Sequence, residues 1–142
     1  MWIRLFVLTI ILLSITGCSK QPEYPELTAS GESVLIDPSV LIPEMPAHFS
    51  YRHKGRAINF FVVETDGRVI SFFDACKTCY PKRKGYESEK GSVTCRACGE
   101  KYPISQIESG VASCFPVKLR GRMKGNMYAI DISELEKGMH MF

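Results

Sequence analysis

The residues of this 142-residue chain best suited to chemistry are its six cysteines, Cys18, Cys76, Cys79, Cys95, Cys98 and Cys114. Four of them form two C-x-x-C pairs, Cys76-Lys77-Thr78-Cys79 and Cys95-Arg96-Ala97-Cys98, with fifteen residues between the pairs. This is the spacing of a four-thiolate metal site. Two intervening residues let both sulfurs of a pair face one ion while backbone N–H groups of the turn point at them. Four thiolates brought together need a cation to offset their charge. The pattern does not choose the metal, since zinc, a single iron and iron-sulfur clusters all accept four thiolates. Haem attachment requires His directly after C-x-x-C, and Tyr80 and Gly99 stand there instead. A thioredoxin-type dithiol is disfavoured because neither pair opens a helix within a βαβ pattern. Disulfides closed within each pair would be strained and labile.

Other residue types add less. Cys114 follows the small residues Gly110-Val111-Ala112-Ser113 and is a candidate fifth ligand, a thiol beside the site, or a small buried residue. His48, His53 and His140 lie outside both loops and read as surface or core residues. Glu64, Asp66 and Asp74 form no acid/base pair, and neither a Ser/His/Asp set nor a phosphate loop is present, so the chain does not read as an enzyme. Lys82-Arg83-Lys84, and later Lys118, Arg120, Arg122 and Lys124, suit either an ordinary solvated surface or a field that raises a cluster's potential and docks an acidic partner. Met123, Met127, Met139 and Met141 read as core and tail rather than a soft-metal site.

The elements that must position the cysteines are short β-type runs cut by turns, with no long helical period. Strands are expected at 34–36, 47–52, 57–64 and 68–73, with Asp66-Gly67 as a hairpin turn that exploits the positive φ glycine tolerates. Phe60, Phe61, Val62 and Val63 form a run rather than an alternation, which predicts a central strand covered on both faces. Residues 117–120 and 127–132 are expected to pair around Lys124-Gly125-Asn126. A short helix is expected over 133–137, with Ser133 as its N-cap and Gly138 as its stop.

The strand 66–76 runs straight into the first pair, and residues 91–104 give a strand, the second pair, Gly99 and an aromatic strand. This layout resembles Rieske domains, where two loops at the tips of a β-structure clasp a [2Fe-2S] cluster. The resemblance implies a mostly β fold, a small antiparallel sandwich or barrel with two metal-binding loops and a short C-terminal helix. Rieske loops each supply one Cys and one His, whereas Cys79 and Cys98 stand where those histidines would fall.

More specifically, Phe73-Asp74-Ala75-Cys76-x-x-Cys79, Gly85-Tyr86, Val93-x-Cys95-x-x-Cys98-Gly99, Tyr102-Pro103-Ile104 and Cys114-Phe115-Pro116 occur in the order seen in the FtrD-like family of membrane iron-sulfur-containing proteins. That resemblance implies an iron-sulfur cluster on Cys76, Cys79, Cys95 and Cys98, and a role in electron transfer or extracytoplasmic iron uptake with a membrane redox or iron-transport partner. Cys98-Gly99 also resembles the knuckle of zinc ribbons and rubredoxins. A structural zinc or single-iron site in a binding module is therefore the alternative, and a thiol-disulfide or metal-delivery protein a third.

The N-terminus places the domain. Residues 1–17 carry one charge, Arg4, and an apolar run broken only by Thr9 from Leu5 to Leu13, the layout of an export signal. The stretch is too diluted by polar residues to favour a span of about twenty apolar residues. Ile15-Thr16-Gly17-Cys18 resembles the lipobox of bacterial lipoproteins, which implies lipid such as palmitate on Cys18 and an extracytoplasmic, membrane-anchored product. The expected organisation is a signal peptide at 1–17, a lipidated Cys and flexible tether at 18–33, and a metal-binding β domain at 34–142. If Cys18 takes lipid, five cysteines remain in an oxidising compartment, a number disulfides within one chain cannot use up. Without residues 1–17 the chain has 17 Lys and Arg against 15 Asp and Glu. That near-balance argues against nucleic acid.

Overall fold

The computed structural model describes residues 22–110 and 114–142. In chain order the strands are β1 (Glu26–Leu27), β2 (Ala29–Ser30), β3 (Ser33–Ile36), β4 (Ala47–His53), β5 (Arg56–Thr65), β6 (Arg68–Cys76), β7 (Tyr86–Glu89), β8 (Ser92–Cys95), β9 (Lys101–Pro103), β10 (Pro116–Leu119), β11 (Arg122–Lys124) and β12 (Met127–Asp131), followed by one short helix, α1 (Ile132–Lys137). They form three sheets, ordered β1-β4-β5-β6-β10, β11-β12-β3-β2 and β7-β8-β9. Every pairing is antiparallel except β1 with β4. The fold is mostly β, as expected.

Side-chain alternation on β5 and β6 divides the interior in two. Phe60 and Val62, with Phe73 and Ala75, pack against Val34, Ile36, Tyr128, Ile130 and Leu135 from the second sheet and the helix. Phe61 and Val63, with Phe72 and Cys76, pack against Tyr86, Val93, Cys95 and Tyr102 from the third sheet. Residues 60–63 are all fully buried because β5 is the middle strand of a sheet covered on both faces. The unbroken apolar run in the sequence therefore meets two cores. The β5–β6 connection has φ of 51° at Asp66 and 68° at Gly67, the paired positive values of a tight hairpin turn that matches strand twist.

Three expectations change. Residues 117–120 do not pair with 127–132: β10 joins β6 with a register shift between Pro116 and Lys118, and the hairpin partner of β12 is β11. Leu119 is buried, and its carbonyl accepts the Ser71 hydroxyl at 2.8 Å, so this run is held by the first sheet. Part of the expected tether is also ordered. Glu26 and Leu27 pair with Ser50 and Tyr51, and Ala29 and Ser30 pair with β3. The helix begins one residue early, with Asp131 rather than Ser133 at its N-cap. The Asp131 carboxylate is occupied by the Ser33 hydroxyl and by Arg122, and makes no cap hydrogen bond. Gly138 does end the helix.

Candidate metal centre

Alternation on β6 turns Ile70, Phe72 and Cys76 toward the third sheet, so the strand delivers Cys76, 2 % exposed, to its own end on the inner face. Cys95 ends β8 opposite Tyr86 and is equally buried. Cys79 is half-buried, Cys98 exposed and Cys114 buried. The two C-x-x-C turns are built alike. The Cys79 N–H donates to Cys76 Sγ at 2.7 Å. The N–H groups of Ala97 and Cys98 point at the Cys95 sulfur, and that of Glu100 at the Cys98 sulfur. The second turn is closed by Gly99 N–H to Cys95 O and Cys95 N–H to Glu100 O, both 2.8 Å, and is tied to the first sheet's loop by Arg96 N–H to Gly85 O at 3.0 Å.

Five sulfurs converge. Those of Cys76, Cys79 and Cys95 lie within 4.8 Å of one another, and so do those of Cys79, Cys98 and Cys114. Cys79 belongs to both triads, and its sulfur is 3.7 Å from that of Cys114. The two triads together draw on both C-x-x-C pairs and on Cys114, the residues that the sequence offered as candidate ligands. Residues 111–113 and Cys18, with the whole 1–21 segment, lie outside the described residues. Crowding acts on the thiols as it must. Cys79 is pushed up by its hydrogen bond with Cys76 and by burial, Cys95 up to about 11 by burial, and Cys114 up by Cys98. Cys98 is lowered, chiefly by the Glu100 N–H. A cation bound among these sulfurs would favour their thiolate forms, and its binding would add to the stability of the fold. The donor set is soft sulfur from five cysteines, which suits iron-sulfur, iron or zinc.

The surroundings are dry and aromatic on one side. Tyr86 is fully buried, and its hydroxyl donates to Cys114 O at 2.6 Å. Tyr102 stacks obliquely on Phe115, ring centroids 4.3 Å apart, and burial pushes its hydroxyl up to about 12. Tyr86 and Tyr102 pack in one core with Cys76, Cys95 and Cys114 and so wall the centre. Asp74, two residues before Cys76, accepts the Tyr86 N–H at 2.7 Å and the Tyr24 hydroxyl. Burial outweighs these bonds and raises its carboxyl to about 6. Asp74 has no acid/base partner in the sequence and Tyr24 falls in the expected tether; the two, fifty residues apart, meet only in the folded chain.

On the other side, Arg83, Lys84 and Arg96 line a cleft with Cys95 and Gly99. Lys118 pairs with Glu108 at 2.5 Å and Arg122 with Asp131, so two of the later basic residues are engaged in ion pairs within the fold. The histidines stay away from the sulfurs. His48 is buried against Phe61 and Ser88, His53 pairs with Glu136 and His140 meets Tyr80.

Among the described residues no helix is long and apolar enough to cross a membrane. No curated relative and no solved structure matches the chain. The family model described as membrane iron-sulfur containing protein FtrD-like matches residues 43–142, a span that contains every cysteine of the centre. With the paired turns and the five converging thiols, that match makes the chain a member of the FtrD-like family of membrane iron-sulfur containing proteins.

Proposed function

We propose that this protein is a one-electron carrier whose centre is a [2Fe-2S] cluster, Cys76 and Cys95 supplying the buried end and Cys79 and Cys98 the outer end. The observation that carries the reading is the division of the sulfurs into two triads sharing Cys79. A single tetrahedral ion with bonds of about 2.3 Å would draw four sulfurs to within about 3.8 Å of each other. Among the described residues the sulfurs gather as two threes that share Cys79, not as one group of four, and that division suits an elongated two-metal group better. Bound there, such a cluster supplies a reversible one-electron couple.

The protein's own contribution is to set that couple and to expose it. Four thiolates in place of a Cys/His set favour the oxidised irons and hold the potential low, while N–H groups from Cys79, Ala97, Cys98 and Glu100 at the sulfurs moderate it. Tyr86 and Tyr102 keep water from the inner end. Exposed Cys98 and the basic cleft of Arg83, Lys84 and Arg96 offer an edge to an acidic electron partner. Lipid on Cys18 would hold this edge at an extracytoplasmic membrane face, beside a membrane redox or iron-transport protein.

The test is an anaerobic reductive titration of isolated protein. The account expects visible absorption that bleaches with one electron per chain and returns on reoxidation. A colourless protein that takes up no electrons would overturn it, and would favour structural zinc.

A further inference from the structure

We propose that Cys114 is a replacement ligand, its thiolate taking the place of Cys98 on the outer end of the centre. The inference rests on the metal-thiolate reading above. Cys114 shares a triad with Cys79 and Cys98 and lies 3.7 Å from the Cys79 sulfur. It is placed there by structure: the residue is 7 % exposed, and its carbonyl is fixed by the buried Tyr86 hydroxyl at 2.6 Å. A cluster on two irons takes four thiolates from the chain, and the fold brings five. Of the five, Cys98 alone is exposed, so it is the ligand that solvent or an approaching partner can most easily draw off.

The exchange balances without an oxidant. The bond from iron to the Cys98 sulfur breaks and one to the Cys114 sulfur forms. The proton leaving Cys114 passes to the departing Cys98 thiolate, no electron moves, and the charge of the centre is unchanged. The outer edge can then open without loss of metal.

The test compares wild type, Cys98→Ser, Cys114→Ser and the double variant, prepared anaerobically and checked for fold by far-ultraviolet circular dichroism. Iron and acid-labile sulfide are counted per chain, and metal loss to a chelator is timed. Cys98→Ser is expected to keep more than half of the metal with a shifted absorption spectrum, and the double variant less than a tenth. Cys114→Ser is expected to load but to release metal at least threefold faster than wild type. A Cys98→Ser protein as empty as the double variant overturns the proposal, as does a double variant that loads as well as Cys98→Ser. Loading that fails in Cys114→Ser alone makes Cys114 an obligate ligand and also overturns it.

A second readout does not need the double variant to fold. In metal-loaded Cys98→Ser protein, Cys114 should react with a small alkylating agent at least tenfold more slowly than in metal-loaded wild type, and equal rates overturn the proposal. Wild type that carries one zinc and no sulfide would remove the cluster reading, and the same variants scored by zinc content would still decide the exchange.

Discussion

At the scale of residues, the centre depends on groups that never touch a metal. Gly85 has φ of 64°, and a Cβ there would come within 2.9 Å of Asp74 Oδ1 and closer still to the rest of that carboxyl. The carboxyl cannot swing aside, because Tyr24 and the Tyr86 N–H both hold it. Gly85→Ala should therefore cost roughly 2–5 kcal/mol, combining left-handed strain with overpacking. Gly67→Ala, at φ of 68° but facing open space, should cost only about 1–2 kcal/mol. Urea unfolding of the two metal-free variants checks the order, and equal losses would contradict it. His48 makes a pH prediction. Burial lowers its imidazole to about 4, below the value of about 6.5 expected in the unfolded chain. Between those values the unfolded state binds the extra proton, so stability is lost as pH falls from about 6.5 to about 4, by an amount on the order of 3 kcal/mol. Asp74 slopes the other way: its carboxyl is raised to about 6, so the folded state binds the proton and stability is lost as pH rises toward that value. The difference between wild type and His48→Phe isolates the histidine. That difference should shrink by the stated amount toward pH 4, and a difference independent of pH would contradict the assignment.

At the scale of elements, β5 links two cores that respond to substitution differently. Phe61 stacks on Phe72 with centroids 5.5 Å apart and meets Tyr86 edge-on at 6.0 Å, whereas Phe60 packs toward the second sheet and helix. Phe60→Leu and Phe61→Leu should each cost about 1–2 kcal/mol. Phe61→Leu alone should speed metal loss to a chelator, because its neighbour Tyr86 anchors Cys114; matching rates in the two variants would contradict the division of cores. The same strand shows what sequence could convey. The run Phe60-Phe61-Val62-Val63 declared a strand with two covered faces, and Asp66-Gly67 declared its turn, because both signals are local. Residues 117–120 misled because their pattern fits any neighbouring strand; the choice of β6 over β12 was made by burial of Leu119 and by Ser71, 48 positions away. The C-x-x-C pairs were legible because their spacing is itself the chemistry. Cys114 was visible as a candidate, but its place beside Cys79 required the fold. Tyr24 carried no local signal, since its partner Asp74 is a tertiary one.

At the scale of the whole molecule, the first and third sheets share one core, and the thiols gather where β6 of the first and β8 of the third end. The N-terminal segment adds a strand to the first sheet at Glu26–Leu27, so a lipid on Cys18 would hold the domain close to its membrane. Metabolic labelling with palmitate should mark wild type and not Cys18→Ser, and the variant should leave the membrane fraction; a Cys18→Ser protein that stays membrane-bound would contradict lipid anchoring. The central claim, a two-iron centre on the converging cysteines, is met most directly by native mass spectrometry of anaerobically isolated protein. The account predicts a mass increment of two irons and two sulfides, less the displaced protons. An increment of one zinc or one iron without sulfide would contradict it.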